Sequence, residues 1–113
     1  GLRDIIKEEV KFSRIDFTKS SKTPLGFALG RFPVDDPAKE NLHSKQAELD
    51  VYRAAEFFVR KNGGHVALLK EIKVPKFFLQ FQIARIEAAQ RLPSTFKGGV
   101  KHQGQKVLKN AQG

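Results

Sequence analysis

Residues 35–64 read DDPAKENLHSKQAELDVYRAAEFFVRKNGG, and the reading of this stretch decides the fold. Asp35-Asp36-Pro37 is a helix start signal: an Asp caps free N–H groups, and Pro is tolerated at the first helical position. Ala38, Leu42, Leu49, Tyr52, Ala55 and Val59 then recur on one face of a helix, broken once by Lys45. Arg60 and Lys61 suit the negative end of the helix dipole, and Asn62-Gly63-Gly64 supplies residues that tolerate positive φ. The pattern predicts a long helix beginning at Pro37, or later near Asn41 or Ser44, and ending at a Gly-Gly turn.

The chain then returns. Val66, Leu68, Leu69 and Ile72 predict a short helix over His65–Lys73, which Pro75 is expected to interrupt by removing a donor and restricting Val74. A second helix is expected over Lys76–Leu92, where Pro93 ends it. Phe77, Leu79, Phe81 and Ile83 also alternate with Gln80 and Gln82, which is a strand pattern, whereas Ala84–Leu92 is rich in helix formers. Residues 37–92 are thus read as a central helical hairpin.

On the N-terminal side, Leu2, Ile5, Ile6 and Val10 stand at helical spacing and predict a short amphipathic helix over residues 2–12. From Val10 to Phe17 the pattern drifts towards a short strand or extended arm. Residues 18–33 are expected to form a loop that pins Leu25, Phe27, Leu29 and Phe32 onto the hairpin. Gly26 and Gly30 match neither the dinucleotide fingerprint nor the P-loop spacing, so no nucleotide site is inferred there. Residues 93–113 hold four Gly, four Lys and no acid, with few apolar residues to bury. That segment is read as a flexible arm, or one that orders against a partner. The predicted architecture is mainly α: the hairpin, a short N-terminal helix and arm over 1–36, and a basic flexible C-terminal tail over 93–113, all one domain.

Composition narrows the chemistry. Cysteine is absent, which excludes disulfides, thiolate zinc sites and thiol nucleophiles. The three histidines, His43, His65 and His102, do not share a metal-binding spacing, and no nucleophile–base pattern surrounds any serine. Asp35-Asp36 before a Pro is read as a cap rather than a cation site. Glu40, Glu48 and Glu56 alternate with basic residues as on a solvated face. The reading is a non-enzymatic protein with no cofactor and no metal. No apolar run approaches the roughly 20 residues of a spanning helix, so no transmembrane segment is expected. The sequence starts at Gly1 and contains no Met, which is read as a processed product or an excerpt. The expected location is intracellular, organellar if a presequence such as a mitochondrial one was removed.

The net charge of +9 points to a polyanionic partner. Residues 1–36 and 37–63 each carry a net +1, residues 64–92 carry +3, and residues 93–113 carry +4 with no acid at all. Lys70, Lys73, Lys76, Arg85 and Arg91, continued by Lys97, Lys101, His102, Lys106 and Lys109, form a candidate phosphate-neutralising track that needs no base readout. A sharper alternative is a helix-turn-helix DNA-binding protein, with Gln80, Gln82, Arg85 and Gln90 as the base-reading groups of its last helix. A third reading starts from Phe57, Phe58, Phe77, Phe78, Phe81 and Phe96, more rings than a two-helix core hides. Phe57, Phe78 and Phe81 are the candidate protein contacts of an accessory subunit. The leading expectation is a structural or accessory component of a ribonucleoprotein, an organellar ribosome being one concrete form. Its partners would be RNA more than DNA, together with other proteins of a larger assembly.

Overall fold

The computed structural model describes residues 2, 5–7 and 10–112. It is mainly helical, with four α-helices and a two-stranded hairpin among the described residues. The long helix of the opening stretch is α2, Leu42–Lys61. It starts at the later of the expected positions: Asn41 is the cap, accepting the Ser44 N–H at 3.2 Å. Asp36 and Pro37 instead shape a turn, in which the Lys39 N–H donates to the Asp36 carbonyl at 3.0 Å. Gly63, at φ 69°, turns the chain as expected.

The return arm is one helix, α3, running Val66–Ala89 with Pro75 inside it. The expected break at Pro75 does not occur, and Phe77–Ile83 is helical rather than extended. A proline in a helix interior costs about 3 kcal/mol. Here burial on nearly every side of α3 offsets that cost: Ile72, Pro75, Leu79 and Ile83 are buried along one stripe, and Val74, Phe78, Gln80 and Ala84 on the others. α3 ends at a cap that the sequence does not announce. Arg91 takes the left-handed conformation at φ 57°, its N–H reaches the Ala88 carbonyl, and the Leu92 N–H reaches that of Glu87. Those paired bonds close the helix three residues before Pro93.

Two segments expected to lack helix have one. Within residues 18–33, α1 spans Pro24–Arg31, capped by the Thr23 hydroxyl accepting from the Gly26 N–H at 3.1 Å. Two helical glycines each cost about 1 kcal/mol relative to alanine. Complete burial of Ala28 and Phe32 against α3 compensates. The supposed flexible tail forms α4, Gly99–Ala111, which lies along α3. Gly98 and Gly99, at φ 83° and 63°, let the chain double back before it. Phe96, Gln103 and Val107 are the buried row that seats it.

At the N-terminal end, the expected helix over residues 2–12 is replaced where it is described. β1, Ile6–Lys7, pairs antiparallel with β2, Val10–Lys11, in the register Ile6↔Lys11 and Lys7↔Val10. A helix of so few turns has little stability of its own. The expected extended arm holds only as far as Lys11; two short 3-10 turns, Phe12–Arg14 and Phe17–Lys19, then deliver Phe12, Ile15 and Phe17 into the core. Arg3, Asp4 and Glu8, the outer residues of that expected helix, lie outside the described residues. Tyr52 of α2 holds the arm: its hydroxyl donates to the Ile15 carbonyl and accepts the Phe17 N–H at 3.3 Å. Burial pushes the Tyr52 phenol far above its ordinary range, so it stays protonated and able to donate.

Candidate nucleic-acid interface and apolar groove

α4 runs antiparallel to α3. Gln103 meets Gln80, Lys106 lies over the Phe77 ring at 5.2 Å, and Asn110 and Ala111 flank a cleft with Ala67 and Lys70. Burying Gln103 and Val107 turns the opposite side of the helix outward. At about 100° per residue, Lys101, Lys109, His102 and Lys106 fall on one arc of about 140°. No Asp or Glu follows Glu87 in the sequence. Glu87 itself is buried, its carboxylate accepting from the Thr95 N–H at 3.1 Å and from the Thr95 hydroxyl. The described segment from Ala88 to Gln112 therefore contributes Arg91, Lys97, Lys101, Lys106 and Lys109 and no acid of its own, while Asp50 borders it beside Thr95 and Phe96 and Glu71 beside Asn110 and Ala111.

The α3 members of the expected track are placed differently. Lys76 bonds Glu56 of α2 at 3.0 Å and sits 4.6 Å from the centre of the Phe77 ring, tying the hairpin together. Arg85 donates to the Val34 carbonyl at 3.0 Å and to Gln82 at 2.6 Å, and lies over Phe81. Both cations are engaged inside the fold. Lys73 is half-buried. Lys70 is exposed beside the far end of α4, and Arg91 and Lys97 are exposed near its start.

The side chains of the helix-turn-helix alternative also point inward. Gln80 donates to Gln103 at 2.9 Å, and Gln82 to the Phe32 carbonyl at 3.0 Å. Gln90 donates to the carbonyls of Glu40 and Pro37 at 2.8 and 3.2 Å. Gln82, Arg85 and Gln90 staple residues 32–40 to the central helix while Gln80 is taken up by α4, and α3 has no outward row of them to offer a groove of DNA.

A second surface feature is an apolar groove of about 500 Å³ between α1 and α4, floored by α3. Leu25 and Leu29 form one wall, Val100, Gly104, Val107 and Leu108 the other, and Phe78 and Phe81 lie beneath. Gly104 sets the depth: a Cβ there would stand 3.3 Å from the Phe81 ring. Of the candidate protein contacts, the structure brings Phe78 and Phe81 together here. Phe57 stands apart on α2, two-thirds exposed. Sequence reasoning missed the walls because both belong to segments read as non-helical.

Two further concavities carry polar groups. Arg14, Lys19, Lys22 and Arg31 converge with Ser13 and Ser20 around a space of about 380 Å³, a basic cluster hidden in a stretch of small net charge. Its one acid, Asp16, has its carboxylate engaged by the Thr18 N–H and hydroxyl at 2.9 and 2.6 Å. His43, Asp50 and Arg53 of α2 line a smaller cleft with Thr95 and Phe96, and Arg53 lies over the Phe96 ring. Among the described residues there is no group of three or more His, Asp or Glu suited to a metal ion, and no helix long and apolar enough to cross a membrane.

Over its full length, residues 1–113, the chain matches the model of a domain of unknown function, DUF7143, and it belongs to that family. No curated protein and no solved structure matches it.

Proposed function

We propose that this protein is a non-enzymatic accessory component of a ribonucleoprotein, binding RNA through backbone phosphates with its C-terminal part. The observation that carries the reading is that the segment from Ala88 to Gln112 contributes five cations and no acid to the surface. Lys101, His102 and Lys109 stand exposed on one arc of a rigidly seated helix, with Lys97 and Arg91 beside its start. Clustered cations repel one another, and a phosphodiester chain relieves that repulsion while releasing condensed counterions. The inward placement of Gln80, Gln82, Arg85 and Gln90 favours backbone contact over base reading. Seating on α3 spares α4 the ordering cost that a free tail would incur on binding.

The test is binding of the intact chain to single-stranded RNA and duplex DNA across a salt series. Each lost phosphate contact should flatten the log–log salt dependence by about 0.7 for a single strand. Replacing Lys97, Lys101 and Lys109 with Ala should therefore flatten it by about 2 units and weaken RNA binding at every salt concentration. An unchanged slope in that variant, or no RNA binding by the parent protein, would overturn the proposal.

A further inference from the structure

We propose that the groove between α1 and α4 receives one amphipathic helix from an acidic partner protein. This inference does not require RNA binding: it rests on the shape of the groove, its apolar lining and Lys101 at its rim, a cation it shares with the proposed RNA surface. Leu29 and Leu108 face each other from opposite walls, 56% and 59% exposed, and between them the lining is apolar down to Phe78 and Phe81. Leucines held open beside a cleft are a surface that another apolar group would cover. Single exposed leucines are ordinary; two flanking one apolar trough are not.

Dimensions select the occupant. From Val100 to Leu108 the α4 wall is about 12 Å long at 1.5 Å per residue. An incoming helix with anchors at i, i+3 or i+4, and i+7 spans about 10.5 Å, two turns, and fills that length. α1 and α4 already lie against one side of α3, so a helix laid between them completes a layer that the chain leaves open.

Charge selects its composition. Neither wall helix contains an Asp or Glu, whereas Arg31, Lys101, Lys106 and Lys109 belong to them and Lys101 lines the rim. Acidic residues beside the apolar row of the incoming helix would meet Lys101 on the α4 side, and no carboxylate of the lining would repel them. A second copy of this chain would bring another +9 against the same surface, which disfavours self-association there.

The test uses the full-length chain and three labelled probes: a leucine-anchored amphipathic helical peptide with Glu at its outer positions, the same peptide with Lys instead, and dodecanoate. The Glu peptide should bind at least tenfold more tightly than the Lys peptide, perturbing the backbone amides of residues 25–29 and 100–108. Leu29→Ser with Leu108→Ser should weaken it at least tenfold while leaving the thermal midpoint and RNA affinity unchanged. Lys101→Glu should erase the preference for the Glu peptide. Equal binding of the two peptides, indifference to the Leu substitutions, uptake of dodecanoate alone, or a dimer that those substitutions dissociate would each overturn the proposal.

Discussion

The side-chain amide of Gln80 donates to the side-chain carbonyl of Gln103 at 2.9 Å, joining α3 to α4 at a point closed to water. The Gln103 side-chain amide N–H donates back to the Lys97 carbonyl at 3.2 Å, so one residue seats α4 and fixes the turn that precedes it. Gln103→Ala should cost about 2–3 kcal/mol, because it opens a cavity and strands a buried amide. Replacing Gln80 and Gln103 together with Leu should cost less than Gln103→Ala alone, since the pair then leaves no side-chain amide unmatched. Urea denaturation of the variants measures both, and strict additivity would show that the two amides do not act as a pair.

Tyr52→Phe should cost about 1–3 kcal/mol, by leaving the Ile15 carbonyl and the Phe17 N–H without their shared hydroxyl. The pH dependence has a definite sign. The folded phenol resists ionisation while the unfolded chain ionises near pH 10, so Tyr52 supports the fold below that pH. Above it, the parent protein should lose up to about 1.4 kcal/mol per pH unit more than Tyr52→Phe does. Parallel denaturation curves from pH 9 to 11 measure that difference, from which the lysine titrations cancel.

Arg91 occupies a left-handed position that glycine adopts without penalty. Arg91→Gly should raise stability by about 0.5–1 kcal/mol even though it removes a charge. Thermal unfolding should shift upwards by several degrees, and a lowered midpoint would mean that the arginine side chain contributes more than its backbone costs.

Gly98 is held from two directions. Its φ of 83° disfavours a side chain, and a Cβ there would come 2.4 Å from that of His102. Gly98→Ala should cost at least about 1–3 kcal/mol. The loss should concentrate in α4, read as faster amide exchange over residues 99–111 than over α2.

The hairpin was legible because α2 buries one stripe and exposes the rest, the arrangement that periodicity detects. α3 was read as two pieces because burial on nearly all sides erases its stripe, leaving Pro75 as the loudest local signal. α1 and α4 were lost for a shared reason. Gly26, Gly30 and Gly104 were taken as loop residues, yet Leu25, Ala28, Leu29 and Phe32 are helically spaced, as are Phe96, Val100, Gln103 and Val107. Counting Gln103 as polar hid the second row. The charge count along the chain located the acid-free segment, but not which cations are taken up by Glu56, Val34 or Gln82. The Leu–Leu groove lay beyond it altogether, since its walls come from segments about 75 residues apart that only α3 brings together.

The order of synthesis gives the seating of α4 a last consequence. α3 leaves the ribosome with Phe77, Phe78 and Phe81 uncovered on the side that α4 later closes, and α4 is made after every other element described here. A nascent chain that stalls or is cut near Pro93 therefore presents a sticky helix with no lid, a substrate for chaperones or proteases. The thirteen residues of α4 thus cover this side of α3 only after everything before them has been made.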